Sequence, residues 1–123
     1  MAQIRDDLQY TAEHEWLEAG SPATIGISAV AAEALGDIVF VELPEVGSSV
    51  TAGAVFGEVE SVKSVSELFS PVTGTVVETN TAVAQGPELL NADPYGEGWL
   101  IKVEVDTVGP VLSAQEYAEL TGS

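Results

Sequence analysis

The sequence predicts a mainly β domain with two short helices, and three observations carry that prediction. Valine, isoleucine and threonine dominate the apolar positions, and those positions repeat with a period near two, the mark of strands with one buried face. Clusters rich in glycine, proline, asparagine and aspartate punctuate the strand-like runs at short intervals. Helical patterning is confined to two stretches, each opened by a serine.

Taken in chain order, "YTAEHEW" reads as a strand with a partly exposed His14, and "ATIGIS" as the next strand. "SAVAAEALG", residues 28 to 36, begins with Ser28 as N-cap, continues through alanines and a leucine, and ends at Gly36, able to take a left-handed C-cap. "IVFVELP" and "AVFGEVES" are strands separated by the turns "PEVGSS" and "TAG". "SVKS" then falls at the tip of a tight β connection, with "LFSPVTGTVVE" leaving it and "GTVVETN" continuing as a strand. After the turn "NADPYGEG", the alternation in "WLIKVEV" sets Trp99, Ile101, Val103 and Val105 on one side and Leu100, Lys102 and Glu104 on the other. In "SAQEYAEL", Ser113 and Glu116 have capping-box spacing, and Tyr117 and Leu120 are spaced to pack on one helix face. "IVFVELPEVGSSVTAG" and "TVVETNTAVAQG" echo each other loosely as strand, polar turn, valine and glycine-closed bend.

A chain of 123 residues suits a single domain, 1–123, burying roughly two-thirds of its unfolded surface. No run approaches the ~18 apolar residues of a membrane-spanning helix, and "MAQIRDDLQY" resembles neither a secretory signal nor an arginine-rich presequence. The expected location is the cytoplasm, or the mitochondrial matrix only if a presequence has been removed. Twenty acidic residues against three basic ones give a formal charge of −17, which repels nucleic acid and anionic membranes and favours partners with basic faces.

The chain has no cysteine, which excludes disulfides, thiolate metal sites and a cysteine nucleophile. One histidine, His14, cannot supply a two-histidine metal site, and neither a phosphate-cradling glycine loop nor a G-x-S-x-G elbow occurs. Acidic pairs such as Glu58 and Glu60 read as solvated surface groups. These exclusions point to a carrier or binder rather than a catalyst, and they leave Lys63, one of two lysines, as the residue of interest. Lys102 has a plain explanation as a solvated strand residue. Lys63 lies on a turn between stiff strands, where its amine is open to covalent modification.

Around "GEVESVKS" the sequence resembles the lysine hairpin of lipoyl and biotinyl carrier domains, and the surrounding blocks narrow the resemblance to the glycine cleavage system H proteins. "YTAEHEW", "ATIGIS", "ALGDIVFVELPEVG", "VESVKS", "SPVTGTVVETN" and "NADPYGEGWLIKV" occur in that family's order and spacing, from about Leu8 to about Leu120. The resemblance implies a flattened β-barrel or sandwich of two antiparallel sheets, of lipoyl/biotinyl hammerhead type, with approximate twofold symmetry and helices at the ends. It implies that Lys63 receives lipoate in amide linkage, the cofactor supplying the sulfur that the chain lacks.

By the same resemblance, the arm accepts an aminomethyl group at a pyridoxal-phosphate glycine decarboxylase and passes it to a tetrahydrofolate-dependent aminomethyltransferase. A FAD-dependent dihydrolipoyl dehydrogenase then reoxidises it, and the chain itself performs none of these steps. Glu60 matches an acidic position that contacts the lipoate-attaching enzyme, and Glu67, Glu13 and Glu15 are the acids that line a cleft sheltering the loaded amine. The sequence departs from the family at Ser64, where alanine is usual, and at Ala34, where some members carry histidine. A biotin carrier is disfavoured because Val62 and Ser64, not methionines, flank the lysine, and a 2-oxoacid dehydrogenase domain because no aspartate precedes it. A protein of the same fold that donates lipoate or binds a partner, without a role in glycine breakdown, stays open as the alternative.

Overall fold

Strand-forming residues are spread along the whole chain, and in the computed structural model, which describes residues 3–122, they assemble into two antiparallel sheets. In order the elements are β1 (Gln9–Tyr10), β2 (Glu15–Glu18), β3 (Ala23–Ile27), α1 (Ala29–Leu35), β4 (Ile38–Glu42), β5 (Ser49–Val50), β6 (Val55–Ser61), β7 (Val65–Phe69), β8 (Val72–Thr79), α2 (Thr81–Gln85), α3 (Leu89–Ala92), β9 (Ile101–Val108) and α4 (Ala114–Thr121). The larger sheet runs β1-β2-β3-β9-β8-β5 and the smaller β4-β6-β7. The expected barrel or sandwich takes the sandwich form, because no hydrogen-bonded ladder joins the edges of one sheet to the other among the described residues.

The main core lies between the sheets. Ile25, Val72, Val76, Ile101 and Val103 come from the larger, and Ile38, Val41, Val59 and Leu68 from the smaller, all buried in one cluster. A second cluster of Leu8, Tyr10, Trp16 and Tyr117 lies outside it, where α4 docks. Tyr10 and Tyr117 stack at 4.4 Å with rings 4° from parallel. Trp16 covers Gly26 so closely that a Cβ there would stand 2.5 Å from the indole, so the strand needs glycine at that point.

Both expected helices form with their serine N-caps, but Gly36 has a positive φ with an extended ψ and not the expected left-handed C-cap conformation. Ser28 Oγ accepts the Ala31 N–H, and Gly36 closes α1 at φ +78°, ψ −153°, a region nearly reserved for glycine. Ser113 and Glu116 make a complete capping box on α4. Leu120, however, does not pack with Tyr117: it is 56% exposed, because α4 touches the second cluster mainly through the tyrosine.

Two further short helices replace expected loop. Asn80 caps α2 by accepting the Ala82 N–H, and α2 buries Val83. The second half of the sequence echo is thus a strand leading into a helix, whereas the first leads into β5 with Val50 buried. Asn91 and Ala92, read as part of a turn, belong to α3. The alternation of "WLIKVEV" also breaks at its start. Leu100 is fully buried in the main core, while Trp99 packs on the second cluster beneath Lys102, whose Nζ lies 5.0 Å from its ring. The strand proper begins only at Ile101, so the period of two does not extend back to those residues. His14 likewise is not in a strand: it sits in the bend before β2 at φ +80°.

Candidate functional site

The β6–β7 hairpin presents Lys63, and its geometry follows from strand pairing. Glu58 pairs with Glu67, Val59 with Ser66 and Glu60 with Val65, which leaves residues 62–64 to turn the chain. Ser61 knits that turn together. Its buried Oγ accepts the N–H groups of Lys63 at 3.1 Å and Ser64 at 3.2 Å, and its own N–H donates to the Ser64 carbonyl at 2.8 Å. A serine that satisfies two consecutive turn amides is a local substitute for ladder bonds. The Val62 N–H donates to the Asp37 carbonyl at 3.0 Å, which ties the tip to the connection between α1 and β4. Val62, Lys63, Ser64 and Val65 are all exposed.

The three cations of the chain differ in surroundings. Arg5 is paired with Asp7 and lies 6.0 Å from the Tyr95 ring centroid. Lys102 is half-buried on β9 over Trp99. Lys63 is in no salt bridge among the described residues, and its stem rests against the backbone of Gly36. Its amine is therefore reachable by a modifying enzyme, on a backbone that the hairpin holds in place. A bulky acyl group on Lys63 fits this position, since nothing in the core need move to admit it.

The four glutamates take up different positions. Glu60 is exposed on β6 and shares the hairpin with Lys63, and Glu67 is exposed on β7 opposite Glu58. The register of β4 with β6 pairs Glu42 with Glu58, so Glu42, Glu58 and Glu67 form a cross-strand row of carboxylates, with Phe40, Glu60 and Val65 two positions along, in the next row on the same face. Glu13 is exposed on the turn before β2, where it lines a cleft of about 250 Å³ with Thr11, Ala12, Gly53, Phe69, Ser70, Pro71 and Pro110.

Glu15 is not at a surface at all, being 1% exposed. It stands on the same face of β2 as Leu17, a main-core residue, while Trp16 between them faces the second cluster, so β2 is covered on both sides. Its carboxylate accepts the Thr11 hydroxyl at 2.5 Å and the Phe69 N–H at 3.1 Å, joining the first hairpin to the end of β7. Burial pushes its pKa from the ordinary 4.5 up to about 7, the two donors working against that rise. Thr11 and Phe69 therefore stand both in the cleft wall and against the buried acid.

Several residues that shape the site carried no functional signal in the sequence. Ser61 looked like one serine among many in "VESVKS". Gly36 was legible as a helix cap, with no sign that Lys63 would lie on it. Asn91, in α3, donates from its side-chain amide to the Gly36 carbonyl at 2.7 Å and accepts the Ile38 N–H at 2.9 Å, a bridge across more than fifty positions. Tyr117 joins Ser28 Oγ at 2.7 Å and His14 Nδ1 at 2.6 Å, coupling α4 to the cap of α1 and to the bend before β2.

Comparison with known proteins agrees with this arrangement. A family model described as "Glycine cleavage H-protein" matches residues 8–122. The glycine cleavage system H protein of Beutenbergia cavernae is 61% identical over 119 residues, covering 96% of each chain. That of Rubrobacter xylanophilus is 57% identical over 119 residues, covering 96% of this chain and 94% of its own. The crystal structure of a glycine cleavage system H protein from Mycobacterium marinum superposes with a TM-score of 0.95 at 50% identity, over 98% of this chain and 100% of that one. With the lysine hairpin, the two-sheet fold and matches that span nearly its full length, this chain belongs to the glycine cleavage H-protein family.

Proposed function

We propose that this chain is the lipoyl carrier of a glycine cleavage system, with lipoate joined by an amide bond to Nζ of Lys63. The observation that carries the proposal is the setting of Lys63: exposed at the tip of a hairpin whose turn amides are satisfied by Ser61. When bound, lipoate supplies a dithiolane able to carry the aminomethyl group drawn from glycine. What the chain supplies is mechanical. The paired strands fix the root of the arm, and tethering keeps the group at high effective concentration wherever the carrier docks.

On this reading the described residues belong to one domain that acts as a non-catalytic component in the cytoplasm. Its partners are the pyridoxal-phosphate decarboxylase, the tetrahydrofolate-dependent aminomethyltransferase, the FAD-containing dihydrolipoyl dehydrogenase and the enzyme that attaches lipoate. Glu60, exposed on the same hairpin, is offered to the attaching enzyme. Glu67 and Glu13 supply negative charge on accessible surface, which favours a cationic amine. Glu15 acts from behind the cleft wall, through Thr11 and Phe69, and not by lining the surface.

Intact-mass measurement of protein from its native cell, beside Lys63→Arg, tests the attachment. A lipoyl increment is expected in the parent and none in a folded variant; an increment that survives the substitution overturns the assignment. Exchange of labelled bicarbonate into glycine, with the purified decarboxylase and the lipoylated chain, tests the glycine-specific role. A lipoylated chain that supports no exchange favours a lipoate donor or partner-binding protein instead.

A further inference from the structure

Lys63 is exposed, yet its side chain does not extend freely into solvent. A Cβ added to Gly36 would meet Lys63 Cε at 3.2 Å, Nζ at 3.7 Å and Cδ at 3.9 Å, so the outer half of the lysine lies along the bare backbone at the end of α1. That backbone is unusually well held. Asn91 donates to the Gly36 carbonyl and accepts from Ile38 N–H, and Val62 N–H donates to the Asp37 carbonyl between them. Gly36 N–H is itself bonded to the Ala32 carbonyl. Residues 36–38 are thereby pinned by α3 on one side and by the lysine hairpin on the other.

We propose that Gly36 is a seat for the Lys63 stem and that Asn91 is the residue that holds the seat in place, so that the amine is aimed before it is acylated. The inference rests on the reading of Lys63 as the acceptor. A Cβ at residue 36 would crowd the stem, so that Lys63 Cε would have to give by a few tenths of an ångström, and a larger side chain would crowd it further, which gives this glycine a role beyond its positive φ. The end of a helix also favours a cation, because its last carbonyls carry partial negative charge. The seat thus acts on the ammonium form; in acylation that ammonium gives up one proton before its nitrogen attacks the activated lipoyl carbon and a second as the amide forms and the activating group leaves, so the nitrogen keeps one hydrogen. Gly36 and Asn91 are positioning residues, because neither forms or breaks a bond in that step. Restricting a flexible nucleophile in this way lowers the entropic cost of reaching the reacting geometry.

The composition makes a direct test possible. With only two lysines in the chain, protein labelled with lysine carbon-13 at Cε gives two methylene signals, which Lys63→Arg assigns. Relaxation of the unmodified protein should show Lys63 Cε restricted. In Gly36→Asn, and in Asn91→Ala, that restriction should fall while Lys102, seated on Trp99, stays unchanged as internal reference. Gly53 is the control: it has φ +82°, and a Cβ added there would meet nothing within 4 Å. Gly53→Asn should therefore leave both signals alone, which shows that substituting a positive-φ glycine does not by itself free a lysine, while Asn91→Ala tests the seat with Gly36 intact.

In acylation by a lipoate ligase with lipoate and ATP, followed by intact mass, Gly36→Asn and Asn91→Ala should lower kcat by about tenfold. KM for the carrier should change little, because the hairpin surface is intact. Unchanged Lys63 relaxation in both variants overturns the seat, as does a loss confined to KM. If the parent is not acylated at all, the acceptor reading fails instead, and the relaxation measurements still decide whether the seat exists.

Discussion

Glu15→Gln isolates the one deeply buried carboxylate of the described core and should abolish a loss of stability that the parent suffers as pH rises toward neutrality. The folded state raises the pKa of Glu15 from 4.5 to about 7 by burial, so it binds the proton more tightly than the unfolded chain does. Stability is therefore greatest where both states are protonated, falls as pH rises from the unfolded value toward the folded one, and is level above about 7. A shift of that size corresponds to roughly 3 kcal/mol between the two plateaus, at 1.36 kcal/mol per unit. Glutamine has the shape of the neutral acid. Its single carbonyl can accept the Phe69 N–H or the Thr11 hydroxyl but not both, and Thr11 Oγ1 already accepts the Glu13 and Glu15 N–H groups, so the variant loses one native contact at every pH.

The assay is denaturant unfolding followed by the fluorescence of Trp16 and Trp99 from pH 5 to pH 8, clear of the sequence pI near 4.1. Relative to the parent, the variant should gain roughly 2–3 kcal/mol between pH 5 and pH 8, on top of a pH-independent offset from the lost contact. General repulsion at a net charge of −17 lowers both curves as pH rises, so only their difference reports on Glu15. Parallel curves over the whole range would refute the reasoning, since they would mean that Glu15 titrates alike in the folded and unfolded chains.

Three further perturbations follow from the same structure. Ser61→Ala should cost only about 1 kcal/mol in global stability but should speed hydrogen exchange at the Lys63 and Ser64 amides; unchanged exchange there would show that Ser61 does not organise the tip. Tyr117→Phe keeps the stack on Tyr10 and removes the hydroxyl shared by Ser28 and His14. It should lower stability by about 1–3 kcal/mol in thermal unfolding, and a melting point equal to the parent's would count against that node. Gly57→Ala would drive a Cβ into the Glu42 carbonyl oxygen on the neighbouring strand, so a loss of about 3 kcal/mol is expected; a denaturation midpoint unmoved from the parent's would show that β4 yields freely.

Features set by a few neighbouring residues were legible from the chain. Alternating valines and isoleucines announced β3, β6 and β8, Ser28 and Ser113 announced their helices, and the strand-like runs on either side of Lys63 announced a turn between them. The same local logic misplaced Leu100 and Leu120 and passed over α2 and α3. A helix of five residues, such as α2, is too short to display a period, and a strand's alternation says nothing about residues just before it.

The sequence by itself determined that this is a β scaffold with one lysine offered on a hairpin, because strand period, capping and turn chemistry act over a handful of positions. Only the tertiary structure decided that Glu15 lies inside, bound to a backbone amide 54 residues away, and that Asn91 braces the glycine on which Lys63 rests. Such contacts depend on which strands and helices meet in space. A glutamate in a strand reads the same in either setting until a second layer, here the smaller sheet that brings the Phe69 N–H against it, covers that face and removes it from water.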